Sequence, residues 1–173
     1  TADGHIAGVA IVGNEGLIGI NELEANPEPG EPALVEIADG DAQVMDANVF
    51  QREMARRAAF NELVHNYLHA FVESLMQSIV CNALHPLEMR CARCLLEIRD
   101  RVGHNELPLT QYTLANLLGV RRATVTLCEG RLHRMGLVEK QHRRIVIRNP
   151  AGLEAAACEC YPVNKGHFAR LLQ

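Results

Sequence analysis

The stretch Leu109–Asn149, LTQYTLANLLGVRRATVTLCEGRLHRMGLVEKQHRRIVIRN, decides how the rest of the chain is read. Thr110 suits a helix N-cap, because its hydroxyl can accept from one of the first unpaired helix N–H groups. Leu114, Leu117 and Leu118 then share one face of a short helix. Gly119 falls where the chain must turn with positive φ, a conformation that glycine adopts freely, and Val120 fills the corner. A second helix is predicted from about Arg122 to Met135, with Val125, Cys128 and Leu132 inward and Gly136 closing it. LVEK and RIVIR follow as two strands joined by QHR. Helix, tight turn, helix and basic hairpin make a winged helix-turn-helix, whose second helix is the one that enters a DNA major groove.

Charge supports that reading by its distribution rather than its sum. The 173 residues carry a net charge of −4, which alone would discourage nucleic-acid binding. Residues 1–62, however, hold 12 acids and 3 arginines, whereas 121–148 hold 8 basic residues against 2 glutamates. An acidic part joined to a basic part points to two modules with different partners. Basic side chains on the second neutralise phosphates and release counterions. A protein-binding winged helix is the alternative that the pattern leaves open.

Working outward, LHPLEMRCARCLLEIRDRVG reads as the helix before the motif. Pro86 lies in its first turn, Leu87, Cys91, Cys94, Leu95 and Ile98 on its buried face, and Gly103 at its stop. From Ala47 to Leu84 the hydrophobic period is helical. Phe60, Val64, Leu68, Phe71, Leu75 and Ile79 recur at steps of three and four, a continuous seam on a helix long enough to want a partner helix. We expect this seam to form a homodimer interface. Residues 5–48 read as short strands, 5–13, 33–38 and 42–46, with a hairpin signal at Asp39-Gly40 and a Pro- and Glu-rich loop before it. These are too few strands to close a barrel alone. The chain opens at Thr1 in what reads as the middle of a sheet, so a preceding segment is expected.

No apolar run reaches the length needed to span a bilayer and no signal peptide is recognised, so a cytoplasmic protein with six reduced cysteines is expected. Cys91 and Cys94 form a CxxC in the middle of a helix rather than at its start, with no second pair beside it in sequence. They read as small buried hydrophobes, as do Cys158 and Cys160. His65 and His69 share a helix face but lack a third ligand. No metal site, cofactor or catalytic constellation is assigned, and no enzyme activity is expected.

With these residues in place, the chain resembles the Crp/Fnr family of bacterial transcription regulators. The resemblance is strong over 86–161, through RCARCLLEIRD, the opening stretch and LEAAACECY. It is weaker over 1–57, where GLIGI and ALVEIADGDAQVMDANVF are similar to the second half of the family's sensor domain. It implies an α+β chain: a partial cyclic-nucleotide-binding-like β-roll over 1–57, a long dimer helix over 58–85, and a winged helix-turn-helix over 86–173. It also implies a homodimer that binds double-stranded DNA and senses a signal through the roll. By position in the motif, Arg122 matches the family's first base-reading arginine and Thr124 a phosphate-bound threonine. Ala123 and Leu127 stand where relatives carry a glutamate and a second arginine. Ala123 can touch a thymine methyl and Thr126 a base edge, and Arg121 is assigned to a phosphate. Thr110 and Gln111 open the first helix, where backbone N–H groups grip phosphate. His142 and Arg143 at the wing tip complete the predicted contacts. Arg131, Arg134 and Arg144 read as solvated surface. Members that bind cyclic nucleotide pair its phosphate with an arginine, and residues 1–51 contain no arginine or lysine. Cyclic nucleotide is therefore not expected, and an effector of other chemistry is left open.

Overall fold

The computed structural model describes residues 6–19 and 41–169. Asp46 starts α1 (Ala47–Arg56), its carboxylate accepting from the Asn48 and Val49 N–H groups. After Arg57 the chain re-enters helix as α2 (Ala58–Leu84), 27 residues long. Helix α2 ends where His85 turns extended ahead of Pro86, since the residue before a proline is pushed out of helical backbone. Pro86 sits at the N-cap of α3 (Leu87–Val102), one residue before the first turn in which the sequence places it. Gly103, at φ 77°, closes α3 in the left-handed region, as expected of a C-terminal glycine.

The motif itself forms as read. Helices α4 (Gln111–Leu118) and α5 (Arg122–Arg134) flank a turn in which Gly119 has φ 64°. Helix α5 stops at Met135, and Gly136, at φ 70°, follows in the left-handed region. A three-stranded antiparallel sheet completes the unit: β1 (Glu106–Leu107), β2 (Val138–Gln141) and β3 (Arg144–Ile147), in the order β1-β3-β2. Leu107 pairs with Ile145, and Val138 with Ile147. The sequence reading has no counterpart to β1, which is only two residues long. Helix α6 (Pro150–Ala156) is capped by Asn149, whose side chain accepts from the Gly152 N–H at 2.9 Å. Helix α7 (Cys160–Ala169) then returns to pack against α2 and α3.

The main core gathers Leu95 and Leu96 of α3, Leu107 of β1, Leu114 and Leu118 of α4, Val125 and Leu132 of α5, and Leu153 of α6, all fully or almost fully buried. Each such side chain contributes roughly 1.5–3 kcal/mol by leaving water. The core therefore fixes α5 against α3, α4 and the sheet, and this sets the direction in which α5 presents its outer face.

The described structure is helix-dominant with one small antiparallel sheet, an α+β chain as expected. The N-terminal strands differ from expectation. Residues 6–13 and 42–46 are not strands, and 33–38 and Asp39-Gly40 lie outside the described residues. A strand needs a neighbour to pair its N–H and C=O groups. Segment 6–13 finds a helix instead: the Gly8 N–H donates to the Asn116 carbonyl of α4 at 2.8 Å, and Ile11 packs on the main core. Further along, Glu15 pairs with Arg101 of α3 at 3.2 Å, and the Tyr67 hydroxyl of α2 donates to the Leu17 carbonyl at 3.1 Å.

Candidate nucleic-acid interface

Helix α5 is amphipathic by position. Val125, Cys128 and Leu132 face the core, which turns Arg122, Ala123, Thr126 and Leu127 to the opposite side. All four are exposed, and Leu127 is 67% exposed. A leucine so placed contributes nothing to the core, so its position on the outer face needs another reason. Arg121 is the α5 N-cap residue, with extended backbone and no side-chain capping bond. The Thr126 hydroxyl donates back to the Arg122 carbonyl at 3.2 Å.

Around this face the cations divide into two sets. Arg131 pairs with Glu88 of α3, Arg144 with Glu106 at 2.8 Å, and Arg148 with Glu139 of β2. Among the described residues, Arg121, Arg122, Arg134, Lys140 and Arg143 have no carboxylate partner. The second set holds all three arginines that the sequence reading assigns to DNA, together with Lys140 and with Arg134, which that reading leaves on the solvated surface. The first set includes Arg131 and Arg144, which the same reading leaves on the solvated surface. At the wing tip His142 and Arg143 are exposed, and Arg143 has φ 57°, outside the ordinary range for a side-chain-bearing residue. The hydrogen bonds from Arg148 and Gln141 hold the Glu139 carboxyl below its ordinary range.

The turn side of α4 supplies the remaining predicted contacts. The Thr110 hydroxyl accepts from the Thr113 N–H at 3.1 Å, which fixes the first turn of α4. Gln111 is placed differently from a surface contact. Its side chain is buried and its amide donates to Glu129 of α5, which leaves only its backbone for any outside partner. Tyr112, next to it, is 58% exposed. The sequence reading passes over Tyr112, although the inward set Gln111, Leu114, Ala115 and Leu118 implies that position 112 faces out.

Away from the helix-turn-helix, α2 carries the predicted dimer seam. Val64 is 2% exposed and is buried within the chain itself, while Phe60, Leu68, Phe71 and Leu75 are half-buried and Ile79 is exposed. The apolar stripe that α2 turns outward runs through Val72, Met76, Ile79 and Val80. It overlaps the predicted seam at Ile79. The reason is α7, which packs on α2 and occupies part of the apolar surface that the periodicity offers to a partner.

The cysteines separate into two groups. Cys91 and Cys94 are buried in the main core, as the sequence reading has them, and burial pushes the Cys94 thiol up to about 12. Cys158 and Cys160 are buried elsewhere, against Cys81 and His85 at the end of α2. The reading of Cys158 and Cys160 as packing residues alone does not anticipate these neighbours, which lie more than seventy residues away in sequence.

Residues 89–156 match the Crp-like helix-turn-helix domain, so the chain carries a Crp-like helix-turn-helix. Among solved structures, a transcriptional regulator of the Crp/Fnr family from Eubacterium rectale is 27% identical with a TM-score of 0.52, covering 64% of this chain and 51% of its own. A Crp/Fnr-family transcriptional regulator from Thermus thermophilus is 28% identical with a TM-score of 0.50, covering 53% and 50%. FixK2 from Bradyrhizobium japonicum, at 17% identity, shares the fold with a TM-score of 0.58, covering 65% and 59%. The chain thus spans about half the length of the first two of these structures. No curated protein sequence matches it. No helix among the described residues is long and apolar enough to cross a membrane.

Proposed function

We propose that the chain is the dimerising and DNA-binding part of a Crp/Fnr-type transcription regulator. The observation that carries this reading is the outer face of α5. Arg122, Ala123, Thr126 and Leu127 are exposed together on a helix whose other face is locked into the core, beside a basic hairpin. In this reading α5 lies in the major groove. Arg122 donates two hydrogen bonds to a guanine, Ala123 contacts a thymine methyl, and Thr126 reaches a base edge. Leu127 adds an apolar contact where an arginine would have demanded a second guanine. Arg121, Thr124, His142 and Arg143 hold phosphates, joined by Thr110 and the backbone N–H groups at the start of α4.

Two copies associate through the outward stripe of α2 and present their α5 helices about 34 Å apart, one turn of duplex DNA. The extended joint at His85-Pro86, between α2 and α3, is where the reading domain can swing relative to the dimer axis. A signal that favours one arrangement of that joint shifts the population able to bind DNA. Segment 6–19 touches α2, α3 and α4, so the N-terminal part of the chain has a physical route to the reading domain. In this reading the chain regulates rather than catalyses, in the cytoplasm, and a cyclic nucleotide is not its effector.

Binding to a duplex pool at increasing salt tests this reading. Several phosphate contacts predict a steep linear fall of log affinity with log salt. A flat response would favour the alternative, a winged helix that binds protein.

A further inference from the structure

We infer that Cys81, His85, Cys158 and Cys160 form a mononuclear, tetrahedral zinc site that clamps the end of α2 to the corner between α6 and α7. Their ligand atoms all lie within 4.8 Å of one another. Cys81 Sγ and Cys158 Sγ are 3.5 Å apart, and Cys160 Sγ and His85 Nδ1 are 3.6 Å apart. A zinc ion with ordinary bond lengths holds thiolates about 3.8 Å from each other and a thiolate about 3.5 Å from an imidazole nitrogen. Two of the six edges of that tetrahedron are thus already near their length, and the remaining pairs stand within 4.8 Å.

Local structure explains how they meet. Cys81 and His85 are four residues apart at the end of α2, so they share a face, and the His85 N–H donates to the Cys81 carbonyl at 3.1 Å. Helix α6 stops at Ala156, Ala157 is extended, and α7 begins at Cys160. That short corner aims both Cys158 and Cys160 at the end of α2. The three cysteines are buried and His85 is half-buried.

The surroundings are those of a ligated centre rather than of apolar filler. With Nδ1 turned to the thiols, His85 Nε2 donates to the Glu159 carboxylate at 3.1 Å. A carboxylate behind a histidine fixes its tautomer and strengthens it as a ligand. Gln77 Nε2 donates to Cys160 Sγ at 3.1 Å, a bond that steadies a thiolate more than a thiol. A small hydrophobe would have no use for an imidazole and an amide beside it.

Loading balances in protons and charge. Three thiols and a neutral imidazole take up one Zn2+ and release three protons. The product carries a net charge of −1. Four protein ligands leave no open position, so the site is structural rather than catalytic. A multinuclear iron–sulfur cluster does not suit it, because such a cluster spreads its four ligands over two or more irons, whereas all four ligand atoms here lie within 4.8 Å of one another. The Cys91–Cys94 pair takes no part, since both lie in the main core.

The test is metal uptake by the purified chain, reduced and stripped of metal. Titration with Co2+ alone should give one equivalent per chain, with strong visible bands of tetrahedral cobalt and sulfur-to-cobalt charge transfer. One equivalent of Zn2+ should then bleach them. Glu159→Ala, an exposed change, should weaken Zn2+ binding roughly 10–100-fold. Cys158→Ser should weaken it further and lower the charge-transfer intensity, and Cys94→Ala should leave uptake unchanged. If Cys158→Ser does not fold, the wild-type titration and Glu159→Ala decide the matter. Absence of cobalt uptake by the folded chain, a pale octahedral spectrum, an iron–sulfur chromophore in its place, or a Cys81–Cys158 disulfide that excludes metal would each overturn the proposal. DNA binding is not used in any of these readouts, so the two readings stand or fall separately.

Discussion

The Gln111 side chain of α4 donates to the Glu129 carboxylate of α5, and both residues are buried, at 9% and 5% exposure. This tie crosses the helix-turn-helix and holds the two helices at one angle. It also explains why an otherwise apolar inner face of α5 carries a glutamate. The other Glu129 oxygen, Oε1, has no hydrogen-bond partner, so the amide of Gln111 is the main compensation for burying the group. Gln111→Ala should therefore destabilise the fold by about 1–3 kcal/mol, read as a lower midpoint in urea. Glu129→Gln, which keeps an acceptor and removes the charge, should cost less than Gln111→Ala. The reverse order would show that the tie does not carry stability.

The wing offers a case in which stability and binding should move in opposite directions. Arg143 has φ 57° at the hairpin turn, a conformation that costs a side-chain-bearing residue about 1 kcal/mol and glycine little. Arg143→Gly should keep or slightly raise the thermal midpoint. It should also weaken DNA binding and make the log–log salt slope shallower by about one. Loss of stability together with unchanged binding would remove Arg143 from the interface.

Ile79 is 69% exposed on α2, in the stripe with Val72, Met76 and Val80. Ile79→Asp replaces a side chain that its own chain does not bury, so the protomer should stay folded. In the dimer it would bury a charge against apolar surface. Sedimentation at micromolar concentration should show dimer for the wild type and monomer for the variant. A wild type that is monomeric throughout would contradict the dimer reading.

The base of the wing should show an acid-sensitive link. Arg148 bonds to Glu139 and, with Gln141, lowers the pKa of its carboxyl below the ordinary 4.5. A depressed carboxylate adds stability that is present above its unfolded pKa and is lost as pH falls through its folded pKa. The contribution therefore disappears in the acid range below about 4.5 and is constant at neutral pH. Carboxyl titration followed by NMR should show Glu139 titrating below the ordinary 4.5 and moving up in Arg148→Met. No movement would place the cause elsewhere.

The elements that were legible in sequence are those whose geometry is set by neighbours along the chain. Thr110 capping α4, Gly119 at the turn, and Val125, Cys128 and Leu132 facing inward all follow from local spacing, and the structure places each as read. The long helix was legible for the same reason, to within a residue of its ends. Its partner was not: α7 returns across about eighty residues to cover part of α2, and periodicity cannot say which apolar face is already taken. The same blindness hid the Gln111–Glu129 tie and the meeting of Cys81 and His85 with Cys158 and Cys160. No strand forms over the described residues 6–13 and 42–46, because alternation shows only that a segment could pair. It does not supply a neighbour.

The central claim is that the outer face of α5 reads base sequence. Its most direct measurement is selection of bound sites from random duplex DNA by the wild type and by Arg122→Ala. The wild type should enrich a near-palindromic site with half-sites one helical turn apart. Arg122→Ala should lose preference at one base pair of each half-site, at a cost of about 1–3 kcal/mol, and keep preference at the others. Identical selected sequences from both proteins, or no enrichment by the wild type, would contradict it.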